Sequence, residues 1–317
     1  MSDAGAPSRR DIWIDLLLYP GHTLPTAAAP VIVAVGLAVH NHVFAPVPVI
    51  VALLASWLIH VGGIFVDNHE LLVRHPELPE HPELLAALKN GTLTIAGLRW
   101  AAFACFAMAI ATGPYLLTVA GPTVIALGTL GIVASLGYSL GGPLSMTRLG
   151  IADPLFFIMF GSVAVAGAYF VQAASLHASS GLLFVPDAPP ADAWVLGLPV
   201  GALVTNVLLI DDIRDRAFDA RKGWRTGPVR FGLAWTRAEF VGFVVFAYLV
   251  PLWFWLGLGF SPWVLLTWLT LPEAGTIART ICTTDRFEAL FPVTPRTAKL
   301  ALDYSVLLAI GVAVATE

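Results

Sequence analysis

Charged side chains are what this chain has least of: Asp, Glu, Lys and Arg make up only 12% of its 317 residues. An ordinary soluble domain carries about twice that share. Hydrophobic residues reach 57% and the mean hydropathy is +0.80, so too little polar surface remains to wrap a water-soluble core. A polytopic membrane protein is the class that survives. Cysteine is scarce as well. The two present, Cys105 and Cys282, lie in apolar segments, which argues against a disulfide framework or a thiolate metal site and leaves buried thiols. The first residues, Ser2 to Arg10, are polar, so no cleavable leader is expected and the apolar segments read as retained spans. The net charge of −4 says little, and no nucleic-acid partner is expected.

Apolar runs near 24–42, 46–66, 93–112, 115–137, 153–174, 193–211, 238–258, 262–281 and 299–316 predict about nine transmembrane helices. Basic residues are missing from alternate connections. The stretches 38–46, 112–115, 174–193, 258–262 and the C-terminus hold no Lys or Arg, while all 17 fall on the other side or at its span ends. The positive-inside rule then sets the N-terminus in the cytoplasm and the C-terminus outside. Ahead of the first span, Asp11-Ile-Trp-Ile-Asp-Leu-Leu-Leu-Tyr19 reads as an amphipathic interfacial helix. The expected organisation is a cytoplasmic segment, 1–23, followed by one all-α membrane domain, 24–317, in the inner or cell membrane.

The few charges present are concentrated. Asn206 to Thr226 holds four aspartates and five basic residues directly after an apolar run. Asp211, Asp215 and Asp219 recur every four residues and share a helical face, with Asp212 close beside them. Stacked carboxylates repel unless a cation sits among them. Hard divalent ions take such oxygen ligands, commonly together with substrate phosphates. Arg214, Arg216, Arg221, Lys222 and Arg225 offer the opposite charge that a phosphate needs. A plainer alternative is a solvated, salt-bridged helix end.

A second acidic pair, Asp67 and Glu70, is three residues apart at the cytoplasmic end of the second span. Two acidic clusters at one depth can face each other across a cavity, and charge near the hydrocarbon defaults to a functional reading. Snorkelling to the interface is the alternative. The loop His75-Pro-Glu-Leu-Pro-Glu-His81-Pro-Glu-Leu84 is too broken by proline for a helical zinc face and reads as solvated. Lys89 and Arg74 beside it are candidate phosphate-binding cations. In Tyr138-Ser-Leu-Gly-Gly-Pro-Leu-Ser-Met-Thr-Arg148, Gly141-Gly142-Pro143 forces a turn and Arg148 joins the cytoplasmic cations. Tyr138 reads equally as an interface anchor or as a cavity-lining group.

Taken together, these motifs resemble the UbiA superfamily of intramembrane prenyltransferases, and within it the 1,4-dihydroxy-2-naphthoate polyprenyltransferases of menaquinone synthesis. That subfamily's second motif runs Asn-Asn-x-Arg-Asp-x-x-x-Asp, then Gly-Lys-Arg-Thr and Val-Arg-x-Gly. Here the counterparts are Asp211-Asp212-Ile213-Arg214-Asp215, Asp219, Gly223-Trp224-Arg225-Thr226 and Val229-Arg230-Phe231-Gly232. The first motif, Asn-Asp-x-x-Asp, is Val66-Asp67-Asn68-His69-Glu70. Two departures stand out: aspartates replace the paired asparagines, and Trp224 stands where the family has a lysine, which takes one cation from the pyrophosphate neighbourhood.

The resemblance implies nine helices around a central cavity and Mg²⁺-dependent transfer of a polyprenyl diphosphate to an aromatic, dihydroxynaphthoate-like acceptor, with pyrophosphate released. It implies metal ligands Asp67, Glu70, Asp211, Asp215 and Asp219, and diphosphate ligands Lys89, Arg148, Arg214 and Arg225. Asp67, Asp211, Asp215 and Tyr138 would carry the catalysis, Tyr138 by facing the allylic cation. The prenyl tail would lie among apolar helices and leave into the bilayer. An intramembrane terpene cyclase, closing the same cation on its own alkene, remains the alternative. A cation transporter is disfavoured because its acids belong near the midplane. Single-cysteine probes at Ser180 and Arg221 should label from opposite sides of the membrane. Labelling of both from one side overturns the nine-span topology.

Overall fold

The computed structural model describes residue 13 and residues 23–74, 82–140, 145–177 and 188–314. The Gly141-Gly142-Pro143 turn, residues 75–81, Ser180 and the expected interfacial helix apart from Trp13 lie outside them. Among the described residues every regular element is helical. The principal helices are α1 (Thr23–His40), α2 (Pro46–Arg74), α3 (Ile95–Ala111), α4 (Gly113–Ala120), α5 (Thr123–Ser139), α6 (Ala164–His177), α7 (Gly197–Lys222), α8 (Leu233–Leu258), α9 (Leu271–Thr283) and α10 (Val293–Ala313). Most of the described residues in each of the nine apolar runs are helical. Five stretches among the described residues are long and apolar enough to cross a membrane by length and composition.

One boundary differs from expectation. The chain was expected to reverse at 112–115, but α3 continues past Thr112 into α4, and the reversal falls at Gly121-Pro122. Pro114 sits in the first turn of α4, where its missing N–H breaks no helical hydrogen bond. Gly121 takes φ 72°, which an L side chain resists. The segment still carries no basic residue, so the charge asymmetry is unchanged.

Helix α7 is the centre of the molecule. In its most apolar stretch 83% of residues are buried, against 22–39% in the other four. It packs on α8, α10 and the helical segment Ala152–Val163. Its residues Val200, Leu203, Val204, Leu209, Ile210 and Ile213 belong to the main core with α1, α6, α8 and α10. A second core joins α2 and α3 and takes in Phe218 from the end of α7. Trp13 reaches this core, its ring 5.9 Å from Phe65.

Length explains how charge arrives at the membrane edge. Helix α2 has 29 residues and α7 has 26, so at 1.5 Å each they run about 43 and 39 Å, beyond a hydrocarbon core of about 30 Å. Their apolar bodies come first, and the acids fall in the last two to four turns. Helix α7 is fixed in depth by a backbone contact. Residues Ile158–Val163 form a π-helical turn kinked at Gly161 (φ −93°, ψ −106°). A Cβ on Gly197 would lie 2.5 Å from the Gly161 carbonyl carbon, and one on Gly201 would lie 2.3 Å from the Phe157 carbonyl oxygen. Small residues allow this approach in membranes. Gly201→Leu should therefore force the helices apart, costing roughly 1–3 kcal/mol or more as overpacking does. A clear drop in thermal midpoint in detergent is expected, and an unchanged midpoint would contradict the contact.

Candidate active site

Between α2, α5, α6 and α7 lies a cavity of about 790 Å³, ample for a small-molecule substrate. Its deep part is apolar, lined by residues such as Leu116, Val124, Leu127 and Val171, while Asp67, Asp211, Asp212, Asp215 and Asp219 line its charged end. Asp67 of the first acidic pair therefore lines the same cavity as the α7 aspartates, while Glu70 does not. Tyr138 lines it too and begins a file of rings. Tyr138 and Phe156 have centroids 5.1 Å apart, Phe156 and Phe160 5.1 Å, and Phe160 and His60 5.3 Å. This gives the cavity an aromatic wall running from the acids inward.

The acids are held by specific partners. Arg214 lies between two of them, Nη1 2.6 Å from Asp211 Oδ1 and Nη2 2.6 Å from Asp215 Oδ2, and its Nε donates to Asp215 Oδ1 at 2.9 Å. Its guanidinium stacks near Phe287 and Phe291, 5.4 and 5.8 Å from their centroids. Thr294 donates to Asp211 Oδ1 at 2.8 Å, and Thr226 donates to Asp219 Oδ2 at 3.3 Å. Asp212 is buried, and its Oδ2 has no hydrogen-bond partner among the described residues.

The remaining expected site residues stand apart from the cavity. Glu70 faces a small crevice shared with Arg148 and bordered by Asp67, Tyr138 and Trp224. Its carboxylate accepts from Arg74 Nε at 2.8 Å and lies 3.3 Å from His69 Nδ1. Arg148 has a buried Nε without a hydrogen-bond partner among the described residues. Lys89 and Arg225 are exposed and line neither space. The Arg225 backbone N–H instead donates to the Thr147 carbonyl at 3.1 Å, and Arg230 Nη1 donates to the Gly150 carbonyl at 3.1 Å. These bonds knit the 145–151 loop to the 223–232 loop.

Two further cavity residues, Asp212 and Lys222, stand in the sequence as a neighbour of the aspartate face and as one of five candidate phosphate cations, but not among the expected ligands. At 100° per residue, Asp212, Asp215 and Asp219 fall within about 60° of one another on α7, and Lys222 falls about 20° from Asp215. That periodicity was available in the sequence. The every-four spacing beginning at Asp211 obscured it. Gly223 ends α7 in the left-handed conformation (φ 72°), and the Trp224 N–H donates back to the Asp219 carbonyl at 2.9 Å, a Schellman-type close. This folds Trp224 under the helix end. Lys222 is buried, with Nζ 3.5 Å from the Phe218 centroid and 3.7 Å from that of Trp224. Trp224 therefore holds a cation at the cavity, and the expected loss of charge is offset two residues earlier.

The donors suit a hard divalent ion. They are all carboxylate oxygens, and Asp212 keeps one buried oxygen unpartnered. Among the described residues no three acids or histidines converge to enclose a metal by themselves. That arrangement fits an ion such as Mg²⁺, which completes its shell with water and substrate phosphates. Removing the Arg214 guanidinium should leave two half-buried carboxylates uncompensated. Arg214→Met is expected to destabilise the fold by roughly 3 kcal/mol, read as a lowered thermal midpoint, and an unaltered midpoint would show the fork to be dispensable.

Comparison with known proteins gives a consistent picture. The model of the UbiA prenyltransferase family matches residues 81–285. The chain is 27% identical over 231 residues to a 1,4-dihydroxy-2-naphthoate octaprenyltransferase of Escherichia coli (strain K12), covering 71% of this chain and 70% of that one. It is 26% identical over 228 residues to the enzyme of the same name from Mycobacterium tuberculosis, covering 71% and 72%. In fold it is similar to a UbiA homolog from Aeropyrum pernix K1, with TM-score 0.65, 17% identity and coverage of 90% and 96%. It is also similar to a UbiA homolog from Archaeoglobus fulgidus bound to GPP and Mg²⁺, with TM-score 0.51, 13% identity and coverage of 93% and 98%.

Proposed function

The chain belongs to the UbiA prenyltransferase family, and from that premise we propose that it joins a polyprenyl diphosphate to a dihydroxynaphthoate-like acceptor within the membrane. It is an enzyme, an intramembrane prenyltransferase. The observation that carries the finer reading is the single cavity with aspartates of α2 and α7 at one end and an apolar, ring-lined interior behind them. The acceptor class rests on the names of the relatives, which act on dihydroxynaphthoate. Menaquinone synthesis is the corresponding setting. The acid-bearing end is assigned to the cytoplasmic side, where the basic residues gather.

In this reading the diphosphate lies at the aspartates and the prenyl chain extends inward along the apolar wall. Mg²⁺, when bound, would supply positive charge that stabilises the departing pyrophosphate. Asp67 from α2 and Asp211, Asp212, Asp215 and Asp219 from α7 are the residues that would hold the ion. Arg214 fixes Asp211 and Asp215 in one rotamer each, so the donors are oriented before substrate arrives. The allylic C–O bond breaks with its electron pair leaving on pyrophosphate. The electron-rich ring carbon then forms the new C–C bond and loses its carboxyl as CO₂, or a proton where no carboxyl is present. Tyr138, Phe156 and Phe160 exclude water from the cation and face it with π density.

Purified protein incubated with Mg²⁺, prenyl diphosphates of increasing length and dihydroxynaphthoate should yield a prenylated naphthol by mass spectrometry. Asp67→Ala and Asp215→Ala are expected to abolish that product in folded protein, and excess EDTA should do the same to the native chain. Full turnover in EDTA defeats the metal model. Cyclic hydrocarbons or alcohols formed without acceptor defeat the transfer reading in favour of a terpene cyclase.

A further inference from the structure

Two basic side chains line the charged end of the cavity among the described residues, Arg214 and Lys222. Arg214 is committed to Asp211 and Asp215 through both terminal nitrogens and Nε. Lys222 is held differently. Its ammonium rests on two ring faces, Phe218 at 3.5 Å and Trp224 at 3.7 Å, with the charges of Asp67, Asp219 and Asp215 around it. A ring face orients an ammonium without saturating its three donors. An ion-paired lysine, in contrast, has already spent its directional contact.

We infer that Lys222, carried on Phe218 and Trp224, is the residue that receives the substrate's diphosphate in this chain. The inference rests on the prenyl-diphosphate reading above and deepens it. Burial strips the ammonium of most of its water, so an incoming phosphate oxygen replaces weak ring contacts with a charge-assisted hydrogen bond. Trp224 is then a positioning residue. The Schellman-type close at Gly223 sets its indole beneath the last turn of α7, and the indole fixes where the ammonium points. Phe218 does the same from within α7, one turn earlier on the same face. The pairing also accounts for a tryptophan standing at the edge of a highly charged site.

The test uses an unreactive prenyl thiodiphosphate with Mg²⁺, titrated by calorimetry into detergent-solubilised native protein and variants. Lys222→Met keeps an unbranched chain between the two rings and removes only the charge. It should weaken the thiodiphosphate about tenfold or more, the loss of one charge-assisted contact, while leaving affinity for the corresponding uncharged prenol unchanged. Lys222→Met/Trp224→Lys, which moves the ammonium two residues along the same edge, should recover most of the affinity. Equal Kd in native protein and Lys222→Met overturns the assignment, as does an equal loss for thiodiphosphate and prenol, which marks a collapsed cavity. Failure of the native chain to bind the thiodiphosphate at all overturns the substrate reading itself, a result distinct from either.

Discussion

Everything in this molecule is arranged around the cost of keeping carboxylates at the end of a buried helix. Asp211, Asp212, Asp215 and Asp219 occupy little more than two turns of α7, the most enclosed helix of the bundle. Like charges so close in a poorly solvated setting repel strongly. The structure answers in three ways. Arg214 forks across Asp211 and Asp215. Hydroxyls of Thr294 and Thr226 cap two carboxylates. Lys222 adds its charge from the two rings that hold it. Asp212 retains an oxygen unpartnered among the described residues, and that unmet demand suits the cavity to a cation.

The helical bundle was legible in the sequence because membrane spans are written in long apolar runs. Among the described residues each of the nine runs is mostly helical. The pairing of Asp67 with the α7 aspartates was legible too, since both clusters stand at span ends on the basic side. The turn placed at 112–115 was not, because a proline in a helix's first turn looks the same as a proline in a loop. Lys222 was obscured for another reason. Helical spacing sets it about 20° from Asp215, but its neighbours Arg221 and Arg225 look equivalent until the helix is known to run on to residue 222 and stop there. Lys89 and Arg225 illustrate the converse: basic residues near a motif are easily credited with contacts that their exposure does not support.

The aromatic wall belongs to the same logic. Tyr138, Phe156, Phe160 and His60 come from three different segments, so no local pattern announces them. They supply polarizable surface where full charges would be too costly. On the proposed function, cation stabilisation at this membrane edge would be divided: carboxylates would serve the ion, and rings would serve the carbocation, as they already carry the lysine.

The glycine contact that seats α7 against the 158–163 turn has a bearing on how such an enzyme diversifies. Gly161, Gly197 and Gly201 meet through backbone atoms, so the height of the acids is set without reference to any side-chain rotamer. The cavity walls on α2 and α5 carry Ser56, Ile59, Gly131 and Ser135, on helices other than those of the three glycines. On the proposed function, substitutions there would reshape the room for tail and acceptor while the acid-bearing end stays in register. The chain would then separate a rigid frame from an adaptable mould, and descendants could change what they prenylate without rebuilding how they do it.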